Sequence, residues 1–212
     1  MTATVAAGAA AGAGAAAAVA TASSSLTHDV IVTLAALGVA GQVLAALLLL
    51  VGIAWLLGLR GPGDWLRWTL EGYELWCVFL VASIATGGSL FFSEVAGFIP
   101  CELCWYQRIC MYPLSIITLL AALANDRRVA RYLLPLPLVG AGVSVYHLLV
   151  ENGVVEQAKA CLISAPGGCA TKWIEEFGYV TIPVLALTGF ALCFAFLLLA
   201  ALPTPRGTVN ER

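Results

Sequence analysis

Cys101 and Cys104 stand two residues apart in "PCELCWYQRICMYP", and Arg108 follows just as the chain turns apolar. A Cys pair at this spacing closes a tight bridge that is easily made and broken. Where such a pair opens a helix, the free backbone N–H groups and the helix dipole favour a thiolate. Pro100 suits the position just ahead of a helix start, where a missing N–H costs little. On that helix Cys101, Cys104 and Arg108 share a face. Arg108 then lies roughly 6 Å deeper than Cys104. Its donors could hold a quinone carbonyl, stabilise negative charge on a reduced ring, or stabilise a thiolate at Cys104. The plainer alternative is a cation that snorkels to the membrane surface.

A second pair, Cys161 and Cys169, brackets "LISAPGG". Pro166, Gly167 and Gly168 are turn formers, so this loop is expected to be mobile and exposed. That would suit a disulfide that another protein must reach. Two such pairs can pass electrons by thiolate attack through a mixed disulfide. A passive loop staple is the alternative, and so is zinc. Four-cysteine zinc sites use two close pairs. Here the second pair is loosely spaced and its loop has no histidine, so no metal is expected. Cys77, Cys110 and Cys193 read as small buried hydrophobes.

The elements that must hold these residues are membrane spans. The 212 residues are 61% hydrophobic and 10% charged, against about 25% charged in soluble domains. A net charge of −2 gives no reason to expect nucleic acid. Spanning takes about 20 apolar residues. Val30–Leu59, Leu75–Ile99, Leu103–Ala124, Tyr132–Val150 and Tyr179–Leu202 each qualify. The expected fold class is an all-α membrane protein, a four-helix transmembrane bundle with one additional N-terminal transmembrane helix. Residues 1–28 form an Ala/Gly-rich tail without the basic start of a signal peptide, 29–59 the extra span and 60–73 a cytoplasmic loop. Residues 74–202 form the redox core, and 203–212 a cytoplasmic tail.

Orientation follows from basic residues in short loops. Arg60, Arg67, Arg127, Arg128, Arg131, Arg206 and Arg212 fall on one side, and Lys159 and Lys172 on the other. The poorer side, with all four paired cysteines, then faces outward, where disulfides persist. Trp76, Trp105, Tyr106, Trp173 and Tyr179 read as interfacial anchors, Glu94 as interfacial, and "TKWIEEFG" as a short amphipathic surface helix.

"CELCWYQRICMYPL" resembles the signature of the DsbB family, the quinone-reducing membrane proteins of disulfide-bond formation. The resemblance runs from about Glu74 to Leu202. It takes in "YHLLVE", the spaced cysteine pair and "FGYVTIP". It implies that Cys101 and Cys104 hand electrons to a membrane quinone, ubiquinone or menaquinone, with Cys104 beside the ring. It implies that Arg108 belongs to the quinone site, with His147 lining it; Trp105 could border it. It implies that Cys161 and Cys169 take electrons from a DsbA-like thioredoxin-fold partner, with Cys161 forming the mixed disulfide. The setting implied is a bacterial inner membrane, with the redox loops on the periplasmic or extracytoplasmic side. His147 also has a plainer reading, as a satisfied interfacial residue. Residues 1–73 lie outside the resemblance, and Gln107 stands where some members carry an acidic residue. Two alternatives remain. One is a non-catalytic membrane protein with structural disulfides or a zinc site. The other is a quinone reductase like vitamin K epoxide reductase, a family whose CxxC lies late in the chain.

Overall fold

The computed structural model describes residues 3–164 and 167–202, with side chains from Ser25 onward apart from Arg60. Pro166 of the outer loop, Arg206 and Arg212 lie outside the described residues, as does the tail 203–212.

The Ala/Gly tract and the first apolar run form one helix, α1 (Ala3–Leu56). Alanine is the best helix former, and no proline interrupts the run. Gly58, with φ +94°, lets the chain reverse into α2 (Arg60–Leu70). The expected loop at 60–73 is therefore mostly helical. Contacts with Trp55 of α1 hold it. Trp55 of α1 packs over Gly63 and donates its Nε1–H to Asp64 at 3.3 Å. The Arg67 guanidinium lies 6.0 Å from the Trp55 ring centroid.

Helix α3 (Glu74–Leu90) runs on through a π-helical turn at Phe91–Val95. Then come α4 (Glu102–Leu123), the short α5 (Val129–Leu133) and α6 (Pro135–Glu151). The fourth expected span is thus two helices, divided at Leu134 just before Pro135, which occupies the first turn of α6. The loop after α6 holds α7 (Lys159–Ser164) and a 3₁₀ turn at Gly168–Ala170, and α8 (Ile182–Ala201) is the last helix described.

Helices α3, α4, α6 and α8 pack around a shared core in which Val78, Leu114, Phe190 and Leu197 are fully buried. Gly140 of α6 leaves room for the Phe190 ring, which a Cβ there would strike. Helix α1 packs along α8 from outside this core, with Gly41 set against Thr188 and Leu192. Five helical segments are long and apolar enough to cross a membrane: Ser25–Leu56, Glu74–Val95, Glu102–Leu123, Val129–Glu151 and Ile182–Ala201. The molecule is an all-α membrane protein.

The two ends of the bundle differ in chemistry. At one, Arg127 donates to Glu74 Oε1 at 2.7 Å and to the carbonyl of Ala200 at 3.4 Å. Glu74 is buried there, so the pair ties α3, the α4–α5 turn and the end of α8 together. The other end carries both cysteine pairs.

"TKWIEEFG" does not form the expected surface helix. Glu176 and Val180 make an antiparallel bridge around Phe177 and Gly178, whose φ values of +54° and +78° cannot continue a right-handed helix. Ile174 is buried in a cluster with Phe92 and Ile31, and Trp173 stacks on Phe98 with centroids 5.2 Å apart. Core burial, more than a surface stripe, shapes this segment.

Candidate redox site

Cys101 is the N-cap of α4. Its extended backbone lets its own sulfur accept the N–H of Cys104 at 3.3 Å. This is the satisfaction of a free helix-start donor that Ser or Asp usually provides. The two sulfurs lie 2.8 Å apart as free thiols. His147 of α6 brings Nε2 to 3.7 Å from Cys101 Sγ. Together the Cys104 thiol and His147 hold the Cys101 thiol well below its ordinary range, at about 5, against the opposing effect of burial. Cys101 therefore carries the thiolate in the reduced pair.

His147 is held by a buried polar chain. Its Nε2 lies 3.0 Å from the carbonyl oxygen of Cys169, which only an N–H can satisfy. Its Nδ1 is then free to accept from Gln107 Nε2 at 3.5 Å. Gln107 also donates to Ser144 Oγ at 3.1 Å, and Ser144 donates to the carbonyl of Gly140. His147 thus stands between the two cysteine pairs. It is not in the wall of the cavity that holds Arg108, where the resemblance placed it.

That cavity measures about 70 Å³, and its wall includes Cys104, Gln107, Arg108, Phe98, Trp173 and Phe190. Arg108 donates through Nε to Ser89 Oγ at 3.0 Å and through Nη2 to the Ser89 carbonyl at 2.9 Å. Tyr112 donates to the same hydroxyl at 3.3 Å. The guanidinium is thereby fixed on α3 at the cysteine end of the bundle. Trp105 is half exposed. It meets the other side of Arg108, its ring centroid 5.2 Å from Cζ, and does not line the cavity.

Cys161 and Cys169 form a disulfide with Cα atoms 5.2 Å apart. Both are 1% exposed, so the bridge is buried where the sequence suggested an accessible one. The loop is pinned at three points. Ser164 accepts the N–H of Glu102 at 3.1 Å and donates to the carbonyl of Cys161. Gln157 Oε1 accepts the N–H of Cys169 at 3.0 Å, and His147 takes the Cys169 carbonyl. Gly168, with φ +72°, permits the close fold: a Cβ there would lie 3.2 Å from the Cys161 carbonyl. Cys101, Cys161, Cys169 and Val150 share one buried cluster, with Cys104 packed against it.

Ser89, Ser144, Gln157 and Ser164 went unsingled in the sequence. Gln107, Ser144 and Ser89 had a readable signal, being polar side chains inside spans that must find partners. Gln157 and Ser164, in the loop, had none.

The group that could hold a metal is Cys101, Cys104 and His147, whose donor atoms all lie within 4.8 Å of one another. It has three members among the described residues, one short of a closed structural zinc site.

A buried disulfide, a thiol pair with a low-pKa cysteine and a spanning bundle define a membrane thiol–disulfide oxidoreductase. The chain belongs to the DsbB family: the family model "Disulfide bond formation protein DsbB" matches residues 73–200. Among relatives, it is 45% identical over 132 residues to disulfide bond formation protein C of Bacillus subtilis, covering 60% of this chain and 89% of that protein. It is 43% identical over 146 residues to a probable disulfide formation protein of Deinococcus radiodurans, covering 65% of this chain and 93% of that one. No solved structure matches. Helices α1 and α2 lie ahead of the family match.

Proposed function

We propose that this protein reoxidises a reduced, DsbA-like thioredoxin-fold partner and passes the electrons to a membrane quinone. A thiolate of the partner attacks Cys161, forming a mixed disulfide and releasing Cys169. The partner's second thiol then resolves it, leaving the partner oxidised and Cys161 and Cys169 as thiols. Those thiols reduce a Cys101–Cys104 disulfide by the same exchange. The inner pair gives its two electrons to the quinone, which takes one proton from the Cys104 thiol and one from solvent, regenerating the inner disulfide. A quinone suits the role because it dissolves in lipid and accepts the two electrons one disulfide holds.

The observation that carries this reading is the division of labour across one helical turn. Cys104 faces the Arg108 cavity, while Cys101 faces His147 and the outer pair. The cavity fits a flat ring with carbonyls, since aromatic side chains wall it and a fixed guanidinium lies at its edge. Menaquinone and ubiquinone both meet that description. The proposed setting is a bacterial inner membrane with the cysteine end outward, where reoxidised partner introduces disulfides into secreted proteins.

The test is quinone absorbance in purified protein supplied with a reduced thioredoxin-fold partner. Thiol-dependent loss of oxidised quinone is expected, together with its disappearance in Cys104→Ser. No loss in the wild-type protein overturns the proposal. Stoichiometric zinc in the purified reduced protein, released only with loss of fold, would favour the structural reading instead.

A further inference from the structure

The Arg108 cavity does not end at its aromatic wall. A second cavity of about 220 Å³ lies between α1, α3 and α8. The two share Ala85, Ser89, Phe92 and Ile182, so they meet beside the serine that fixes Arg108. The second is lined mainly by aliphatic side chains, among them Leu34, Leu37, Ile84 and Leu192. Its two hydroxyls are already engaged. Ser89 accepts from Arg108, and Thr188 donates to the carbonyl of Val184 one turn back. This wall therefore offers a ligand apolar contact and little else.

The space depends on α1. Gly38 and Gly41 of α1 face α8, and a Cβ at Gly41 would come within 3.1 Å of Thr188 and 3.3 Å of Leu192. Leu34 lies over Gly88 of α3, 3.2 Å from where its Cβ would be. Helix α1 precedes residues 73–200 and so adds a wall that the matched core does not supply.

We propose that this groove holds the polyprenyl tail of the quinone whose ring lies at Arg108, with α1 as its outer wall. The inference rests on the quinone reading above. Continuity selects the occupant: a polar-edged cavity for a ring opens directly into an apolar one for a chain. A phospholipid is the competing occupant, and the displacement arm of the test below separates the two. The extra helix thereby gives the protein a preference for long-tailed quinones.

The test compares two quinones with the same ring, one with a single isoprene unit and one with a long tail. Binding and reduction are measured on the full chain in nanodiscs, at matched quinone-to-lipid ratios. The long-tailed quinone should bind about tenfold more tightly. Leu37→Trp, which fills the groove from α1, should reduce that preference to under about twofold. Leu47→Trp, on the same helix but exposed outside the groove, should leave it unchanged. A second readout needs no variant. A long-tailed quinone with a photoreactive group on its tail should label the wild-type protein within residues 34–41. Equal binding of both quinones, or tail labelling confined to α3 and α8, overturns the inference. So does labelling of residues 34–41 by a photoreactive phospholipid that excess long-tailed quinone fails to displace. If the wild-type protein reduces neither quinone, the quinone reading itself fails. If it reduces both without preference, only the tail groove fails.

Discussion

The inner cysteine pair hangs on a helix start, and the outer pair is pinned inside a loop. Cys101 caps α4 and is approached by the Cys104 N–H and His147, groups that favour negative charge on sulfur. Cys161 and Cys169 are bridged, buried and fastened through backbone groups that Ser164, Gln157 and His147 engage. One pair is built to hold a thiolate, the other to keep a bridge covered. Since Cys101, Cys161 and Cys169 share one cluster, exchange between pairs needs little travel. In the proposed cycle, exchange with a partner protein needs the loop to open, because Cys161 is buried.

This contrast can be broken most severely at the sulfurs. Cys104→Ser should lower quinone reduction by at least about 10³-fold with any reductant. Cys161→Ser should abolish partner oxidation yet leave the inner pair reducible by a small dithiol. If Cys161→Ser still oxidises the partner at full rate, the two pairs do not differ in role. Next in size is Arg108→His, which should raise the KM for quinone about tenfold, or about 1.4 kcal/mol, with a smaller change in kcat. An unchanged KM would make Arg108 an anchor on Ser89 and nothing more.

The charge on the inner pair has its own signature. In the reduced protein, alkylation of Cys101 should rise with pH about a midpoint near 5. His147→Ala should move that midpoint upward. The sign also fixes a stability effect. A thiol with a depressed pKa stabilises the reduced fold fully above the unfolded thiol's pKa, and this contribution disappears as pH falls through about 5. The melting temperature of the reduced protein, measured against that of the oxidised protein, should therefore rise as pH goes from about 5 towards 9.0 and level off below 5. A midpoint near the ordinary thiol value of 9.0 would contradict the assignment of the thiolate to Cys101. The smallest effect is expected at the loop. Ser164→Ala removes one tie between α7 and α4, and partner oxidation should quicken by up to about twofold.

The five spans were legible because bilayer thickness demands long apolar runs, and "CELC" before such a run marked a helix start. The proximity of His147 to Cys101 was not legible, because 46 residues separate them and only the packing of α4 on α6 joins them. The burial of Cys161 and Cys169 was hidden for a similar reason. Gly167 and Gly168 signal a turn, but whether a turn faces solvent or folds onto a neighbour depends on Ser164 and Gln157, whose partners are distant or local by chance of fold. "TKWIEEFG" misled because its apolar residues have helical spacing, while Ile174 and Trp173 are taken up by α1 and by Phe98 beside the π-helical turn.

The most direct measurement is a single turnover without a partner. The protein is fully reduced, freed of reductant and mixed with excess short-tailed quinone, and quinone loss is counted per protein. Each dithiol releases two electrons, so the wild-type protein should consume about two quinones and Cys161→Ser/Cys169→Ser about one. Cys101→Ser/Cys104→Ser should consume none, because the outer pair has no route except through the inner one. Quinone loss in that last variant, at the wild-type rate, would contradict the account.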